Sequence, residues 1–170
     1  MNIRSLHSRR LLLIAGAIAA TLGSASIASA SDEASASDER GVAAGCARQF
    51  ERAQRTDMES FRDYDAETFR DGHHRDAITI FASGAVRTGV DAIMAALAPH
   101  FANREALWAW TEIYRVVDGC KSAFILYDAT YDIPSINYHQ RTLTGVTYTH
   151  SGNKWLAIAD QGTYLEAPGP

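Results

Sequence analysis

Beyond its first thirty residues the chain has no run of eighteen or more strongly apolar residues, so no helical membrane span is expected there. It has no run of lysine and arginine, and acidic residues outnumber basic ones by 20 to 16. No nucleic-acid partner is expected, because that would need a clustered basic surface. G-x-S-x-G is absent, which removes the usual esterase nucleophile. Also missing are a glycine-rich phosphate loop, H-E-x-x-H and closely spaced cysteine pairs, so neither cofactor nor metal is expected. His73, His74 and Asp76 do lie together, but adjacent histidines rarely converge on one ion without a further ligand. They read as a solvated loop after a helix. No internal repeat is present.

Cysteine is scarce too. Cys46 and Cys120 are the only two. An even count in an exported chain suggests a disulfide, and the alternative is a pair of buried thiols.

What is present at the N-terminus resembles a targeting segment. Arg4, Arg9 and Arg10 form a positive start, Leu11 to Ala20 a short apolar run, and Ala28-Ser29-Ala30 a small-residue cleavage signal. A retained membrane anchor is the alternative, but the run is short and diluted by Gly16, Gly23 and serines. Ser8-Arg9-Arg10-Leu11-Leu12-Leu13 resembles a twin-arginine export signal, with the general secretory route as the other option. Removing residues 1–30 takes away three arginines and no acids. The remaining chain has 13 basic and 20 acidic residues, a net charge of −7.

The chain divides into a signal peptide over 1–30, a disordered leader over 31–40 and one domain over 41–166. The leader is small and charged and can bury little apolar surface. Asp38 could cap the helix that follows. There Val42, Cys46, Phe50 and Ala53 recur at helical spacing. Thr56-Asp57-Met58-Glu59 matches a capping box and predicts the start of a second helix, with Met58, Phe61, Tyr64 and Thr68 on one face, ending near Gly72. Asp76 to Phe81 is rich in β-branched residues and predicts a strand, Ser83-Gly84 a turn, and Val86 to Thr88 a return strand. A third helix follows Gly89, with Val90, Ile93, Leu97 and Phe101 on one face and its last turn broken near Pro99. Long strands over 107–117, 122–132, 138–149 and 155–163 are separated by turn residues and predict an antiparallel meander. This is an α+β pattern, with three N-terminal helices packed on a curved, mostly antiparallel sheet.

The motifs in this order resemble the SnoaL-like (DUF4440-type) branch of the nuclear transport factor 2 (NTF2)-like superfamily. They are Phe61, Asp76-Ala77-Ile78-Thr79-Ile80, Gly84, Gly89-Val90-Asp91-Ala92-Ile93, Asp118-Gly119 with Ala123, Thr144-Gly145-Val146, and Gly152-Asn153-Lys154-Trp155. The resemblance implies a cone-shaped α+β barrel enclosing a pocket. It does not fix a function, because the superfamily holds isomerases, cyclases and non-catalytic binding domains. Ketosteroid-isomerase-like members place a carboxylate base where this chain has Phe81, and an acidic oxyanion donor near Arg141. Neither residue can take the carboxyl role. Cyclase-like members carry an aspartate on the last strand, which falls at Asp160 here. In a largely apolar pocket that carboxyl would titrate high and could shuttle a proton.

Alternation groups Trp108, Trp110, Glu112 and Tyr114 on one strand face, Ala123, Ile125, Tyr127, Ala129 and Tyr131 on the next, and His139, Arg141 and Leu143 on the third. Read as a pocket, Tyr64, Phe81, Trp110, Tyr114, Tyr127 and Tyr131 bind a small apolar or aromatic ligand, with His139 or Arg141 as polar partner to Asp160. Read as a surface, the same stripes mediate homodimerisation or protein binding. The export reading is checked by N-terminal sequencing of secreted protein, which is expected to begin at Ser31. Full-length precursor retained in the membrane fraction would overturn it.

Overall fold

The computed structural model describes the backbone of residues 28–169 and the side chains of residues 37–166. Residues 1–27 of the expected signal peptide lie outside the described residues. Helix α1 (Ala28–Arg62) is longer than the sequence pattern suggests. It includes residues 31–40, expected as a disordered leader, where alanines favour helix and neither glycine nor proline interrupts. Asp38 lies inside the helix instead of capping it. The helix also continues through Thr56–Glu59, so the capping-box reading fails there. Asp57 does not use its carboxylate as a cap, because that group accepts a hydrogen bond from the Tyr148 hydroxyl at 2.5 Å. The break comes at Asp63–Asp65. Tyr64 adopts a left-handed φ of 61°, and Asp65 caps helix α2 (Ala66–Asp71) by accepting from the Thr68 amide at 3.1 Å.

Strand β1 (His73–Ile80) turns at Gly84 into β2 (Val86–Thr88), and helix α3 (Val90–Asn103) follows. The expected break at Pro99 does not occur. His100, one residue on, donates from Nε2 to the Phe61 carbonyl at 2.8 Å and stacks on the Phe61 ring at 3.8 Å. This tie to the end of α1 offsets the backbone hydrogen bond that proline cannot make. Strands β3 (Leu107–Asp118), β4 (Ser122–Ile133), β5 (Tyr138–Ser151) and β6 (Lys154–Gly169) form the meander, with a short 3-10 turn at Pro134–Ile136. The six strands lie in the order β2-β1-β6-β5-β4-β3, and only the β1–β6 pair is parallel. The sheet keeps two free edges, β2 and β3, so the expected barrel is instead an open sheet covered by helices.

Helix α1 crosses the inner face of this sheet. Phe50 is fully buried and meets Tyr148 and Trp155 edge-on, at 5.2 and 5.4 Å between ring centres. The Trp155 indole donates to the Cys46 carbonyl at 3.1 Å, and the Tyr127 hydroxyl donates to Gln54 at 2.7 Å. Arg115 on β3 pairs with Glu51. Cys46 and Cys120 form a disulfide with a Cα–Cα distance of 5.3 Å, joining α1 to the β3–β4 turn.

The bridged cysteines are 74 residues apart, so the disulfide stabilises the fold by about 4 kcal/mol in the chain-entropy model. The Cys46→Ala/Cys120→Ala double variant is expected to lose that amount in urea denaturation. An unchanged midpoint would mean that the crosslink does not form.

Candidate functional site

A cavity of about 220 Å³ lies between the helices and the inner face of the sheet. Phe61, Phe69 and Leu97 line it from the helices, and Ile80, Phe81, Trp108, Tyr131 and Val146 from the sheet. Thr79, Thr142, Thr144 and Gln140 add neutral polar groups. Asp57, His73 and Asp160 add ionisable groups to the lining.

Two local irregularities decide which side chains face inward. On β5, Val146 and Tyr148 both point inward and are buried. Tyr148 pairs with Ala157 of β6, but Val146 pairs with Asp160. Ile158 is therefore the extra residue of a β-bulge, and it shifts the parity of the strand. Strict alternation from Trp155 and Ala157 would turn Asp160 outward. The bulge turns it into the cavity, where it also pairs across β1 with Thr79. On β3 a second bulge lies at Ile113, between the pairs Glu112–Tyr127 and Tyr114–Leu126. It throws Tyr114 onto the outer face, where it is 54% exposed.

The acidic end of the cavity has definite electrostatics. Asp57, on α1, is buried, and the Tyr148 hydroxyl donates to its Oδ2 at 2.5 Å. Its Oδ1 lies 3.8 Å from His73 Nδ1 and has no hydrogen-bond partner among the described residues. His73 is buried at the start of β1, and its Nδ1 donates to the Phe69 carbonyl at 2.8 Å. Burial pushes Asp57 above the usual carboxylate range, against the pull of His73 and of the Tyr148 hydrogen bond. Burial also pushes Asp160 up to about 7; the negative charge of Asp57 adds to that rise and His73 opposes it. Tyr131, on the opposite wall, donates its hydroxyl to His100 Nδ1 at 3.1 Å. Burial holds His100 below the usual histidine range, which suits its Nδ1 as an acceptor.

Of the residues expected at the pocket, Asp160, Phe81 and Tyr131 line the cavity and the others do not. Tyr127 is in the core, hydrogen-bonded to Gln54. Tyr64 donates to the Ala106 carbonyl and packs beneath Arg104. Trp110 faces inward beyond the cavity, with the Arg62 guanidinium 5.6 Å from its ring centre. Arg141 and His139 are not the polar partners of Asp160. The inward residues of β5 are Gln140, Thr142, Thr144 and Val146, so the odd-numbered positions face outward. There Arg141 pairs with Asp128 and Glu166, and His139 with Asp132.

The sequence reading also missed Asp57, read only as an inner position of the Thr56–Glu59 capping box, and His73, taken as part of a solvated loop. Asp57 could have been found, since it follows Cys46 by eleven residues, close to three helical turns on the same face. His73 had no comparable signal, because β1 is irregular between His73 and Ile78.

No family model and no curated protein matches the sequence. Solved structures do match the fold. An NTF2-like protein with a cystatin-like fold from Novosphingobium aromaticivorans is 13% identical, covering 85% of this chain and 94% of its own, with a TM-score of 0.60. An NTF2-like protein from Shewanella oneidensis is 12% identical over 69% of this chain and 98% of its own, with a TM-score of 0.59. A ketosteroid isomerase-like protein from Erwinia carotovora atroseptica is 11% identical over 71% and 96%, with a TM-score of 0.57. This chain therefore has an NTF2-like, cystatin-like fold.

The raised Asp160 titration has a consequence for stability. An acid that is harder to ionise in the folded state costs stability once it ionises. That cost is absent at about pH 4, grows as pH rises and is complete above about pH 7. Asp160→Asn removes it. The variant is expected to match the wild type near pH 4 and to exceed it near pH 8, by up to about 4 kcal/mol in urea denaturation. Equal stability near pH 8 would show that the carboxyl is well solvated.

Proposed function

We propose that this is an exported SnoaL-like domain that binds a small, mostly apolar molecule in its cavity, with Asp160 as a proton-transfer group. The observation that carries this reading is the Asp160 carboxyl turned into a cavity walled by aromatic side chains, where burial pushes it up to about 7. Near neutral pH such a group is ionised in part of the molecules and protonated in the rest. It can therefore take a proton from one ligand atom and return it to another, as isomerisation or cyclisation requires. The ketosteroid isomerase-like arrangement is not reproduced, because Phe81 occupies the expected base position and Arg141 faces outward. Proton transfer would instead run from Asp160, with Asp57 and His73 setting its field. Export is supported by the N-terminal pattern and by the disulfide, which fits an oxidising compartment. No helix among the described residues is long and apolar enough to cross a membrane.

A second reading is a non-catalytic dimerisation or protein-interaction domain. The observation favouring it is the apolar exposure on β3, where Leu107, Ile113, Tyr114 and Val116 are 47–60% exposed. Screening the secreted protein against a metabolite extract by mass spectrometry separates the two readings. The cavity reading expects a retained small molecule. Asp160→Asn is then expected to slow turnover of that ligand about 10²–10⁴-fold at saturating ligand. Unchanged binding together with unchanged turnover would make Asp160 structural and remove the catalytic reading.

A further inference from the structure

The cavity holds two carboxyl groups and no lysine or arginine. The nearby arginines are committed elsewhere: Arg141 to Asp128 and Glu166, Arg115 to Glu51 and Glu112, and Arg62 to Asp63. His73 is the one basic side chain in the lining, and its Nδ1 is taken by the Phe69 carbonyl. Asp57 is only 5% exposed, and its Oδ1 lacks a hydrogen-bond partner among the described residues. Burying an acid pair with a single histidine as its cationic neighbour is unfavourable unless something supplies more positive charge. The facing wall offers the rings of Phe61, Phe69, Trp108 and Tyr131, which attract cations as well as apolar groups.

We propose that the ligand is a hydrophobic amine, with its ammonium group between Asp57 and Asp160 and its apolar body against the aromatic wall. An ammonium group carries three donors, enough for the unpartnered Asp57 oxygen and the Asp160 carboxylate together. A neutral ligand would leave ionised acids with only His73 and the Tyr148 hydroxyl to offset them, and an anion would be repelled once either acid ionised. The inference rests on the cavity being the ligand site, as proposed above, but does not require that any reaction follow.

Affinity for an amine should rise with pH. Asp57 from α1, His73 from β1, Asp160 from β6 and Tyr148 from β5 are the titratable groups at this end, with Tyr131 from β4 and His100 from α3 across the cavity. Burial pushes Asp160 up to about 7, so it ionises as pH rises through neutrality, and a cation binds better once it is ionised.

The test is calorimetric titration of the mature chain with phenethylamine, its neutral counterpart phenethyl alcohol, and the anion phenylacetate. At about pH 8 the amine is expected to bind at least roughly tenfold more tightly than the alcohol, with phenylacetate weakest. Its affinity is expected to fall about tenfold by about pH 6, as Asp160 takes up its proton. In Asp160→Asn, checked for folding by near-ultraviolet circular dichroism, the preference for the amine is expected to shrink and its pH dependence to flatten. If that variant does not fold, the wild-type pH profile decides alone. Alcohol or phenylacetate binding as tightly as the amine, or an amine affinity indifferent to pH, would overturn the inference while leaving the cavity as a ligand site. Failure of all three probes overturns it as well, and if the extract screen also retained nothing, the cavity reading would fall with it.

Discussion

The unbroken passage of α1 across the inner face of the sheet is the constraint on which the rest of this structure depends. A helix advances about 1.5 Å per residue and returns to the same face after eleven residues. Once the disulfide fixes Cys46 beside the β3–β4 turn and Phe50 is wedged between Tyr148 and Trp155, the remaining positions are determined. Gln54 meets Tyr127, Asp57 meets Tyr148, and Phe61 reaches the cavity and the His100 ring. A break at Thr56 would have released Asp57 from this line. The helix holds there because its polar side chains are bound to the sheet.

The same packing makes the cavity electrostatically costly. Phe50, Tyr127, Tyr148 and Trp155 form a buried core, and the disulfide ties down its edge. Against that background Asp57 and Asp160 are acids held where charge is poorly solvated. Tyr148 links the two regions: its ring is core and its hydroxyl is the donor to Asp57. Such a site is stable only because the rest of the fold is strong enough to hold it. Local loss of stability at a binding or reacting centre is a common feature of functional sites.

The two faces of the sheet divide the charges by how well they can be solvated. On the outer face Arg141 bridges Asp128 and Glu166, and His139 meets Asp132, with water available to all of them. In the cavity Asp57 and Asp160 have, among the described residues, only each other, His73 and the Tyr148 hydroxyl. An exposed ion pair contributes little to stability, whereas an unpaired buried acid acquires a strongly altered titration. The chemistry of this chain is therefore concentrated on the inner face, although most of its charged residues lie elsewhere.

Local chemistry made the meander legible from sequence alone. The β-branched and aromatic runs ending at Asp118-Gly119, Pro134 and Ser151-Gly152-Asn153 mark β3, β4 and β5 nearly to the residue, because turn residues act through their own backbone preferences. The pairing of the two cysteines was read from their even count in an exported chain, and the place of Asp160 on the closing strand from the family resemblance. The facing of individual side chains was not. Alternation has a period of two, so one inserted residue reverses every position after it. The bulges at Ile113 and Ile158 did this, turning Tyr114 out and Asp160 in. Helix continuity was equally illegible at Thr56 and Pro99, because there the local stop signals were outweighed by Tyr148 holding Asp57 and by His100 holding Phe61. Those partners lie 91 and 39 residues away in sequence, so only the tertiary structure could decide that Asp57 and His73 meet Asp160 in one cavity.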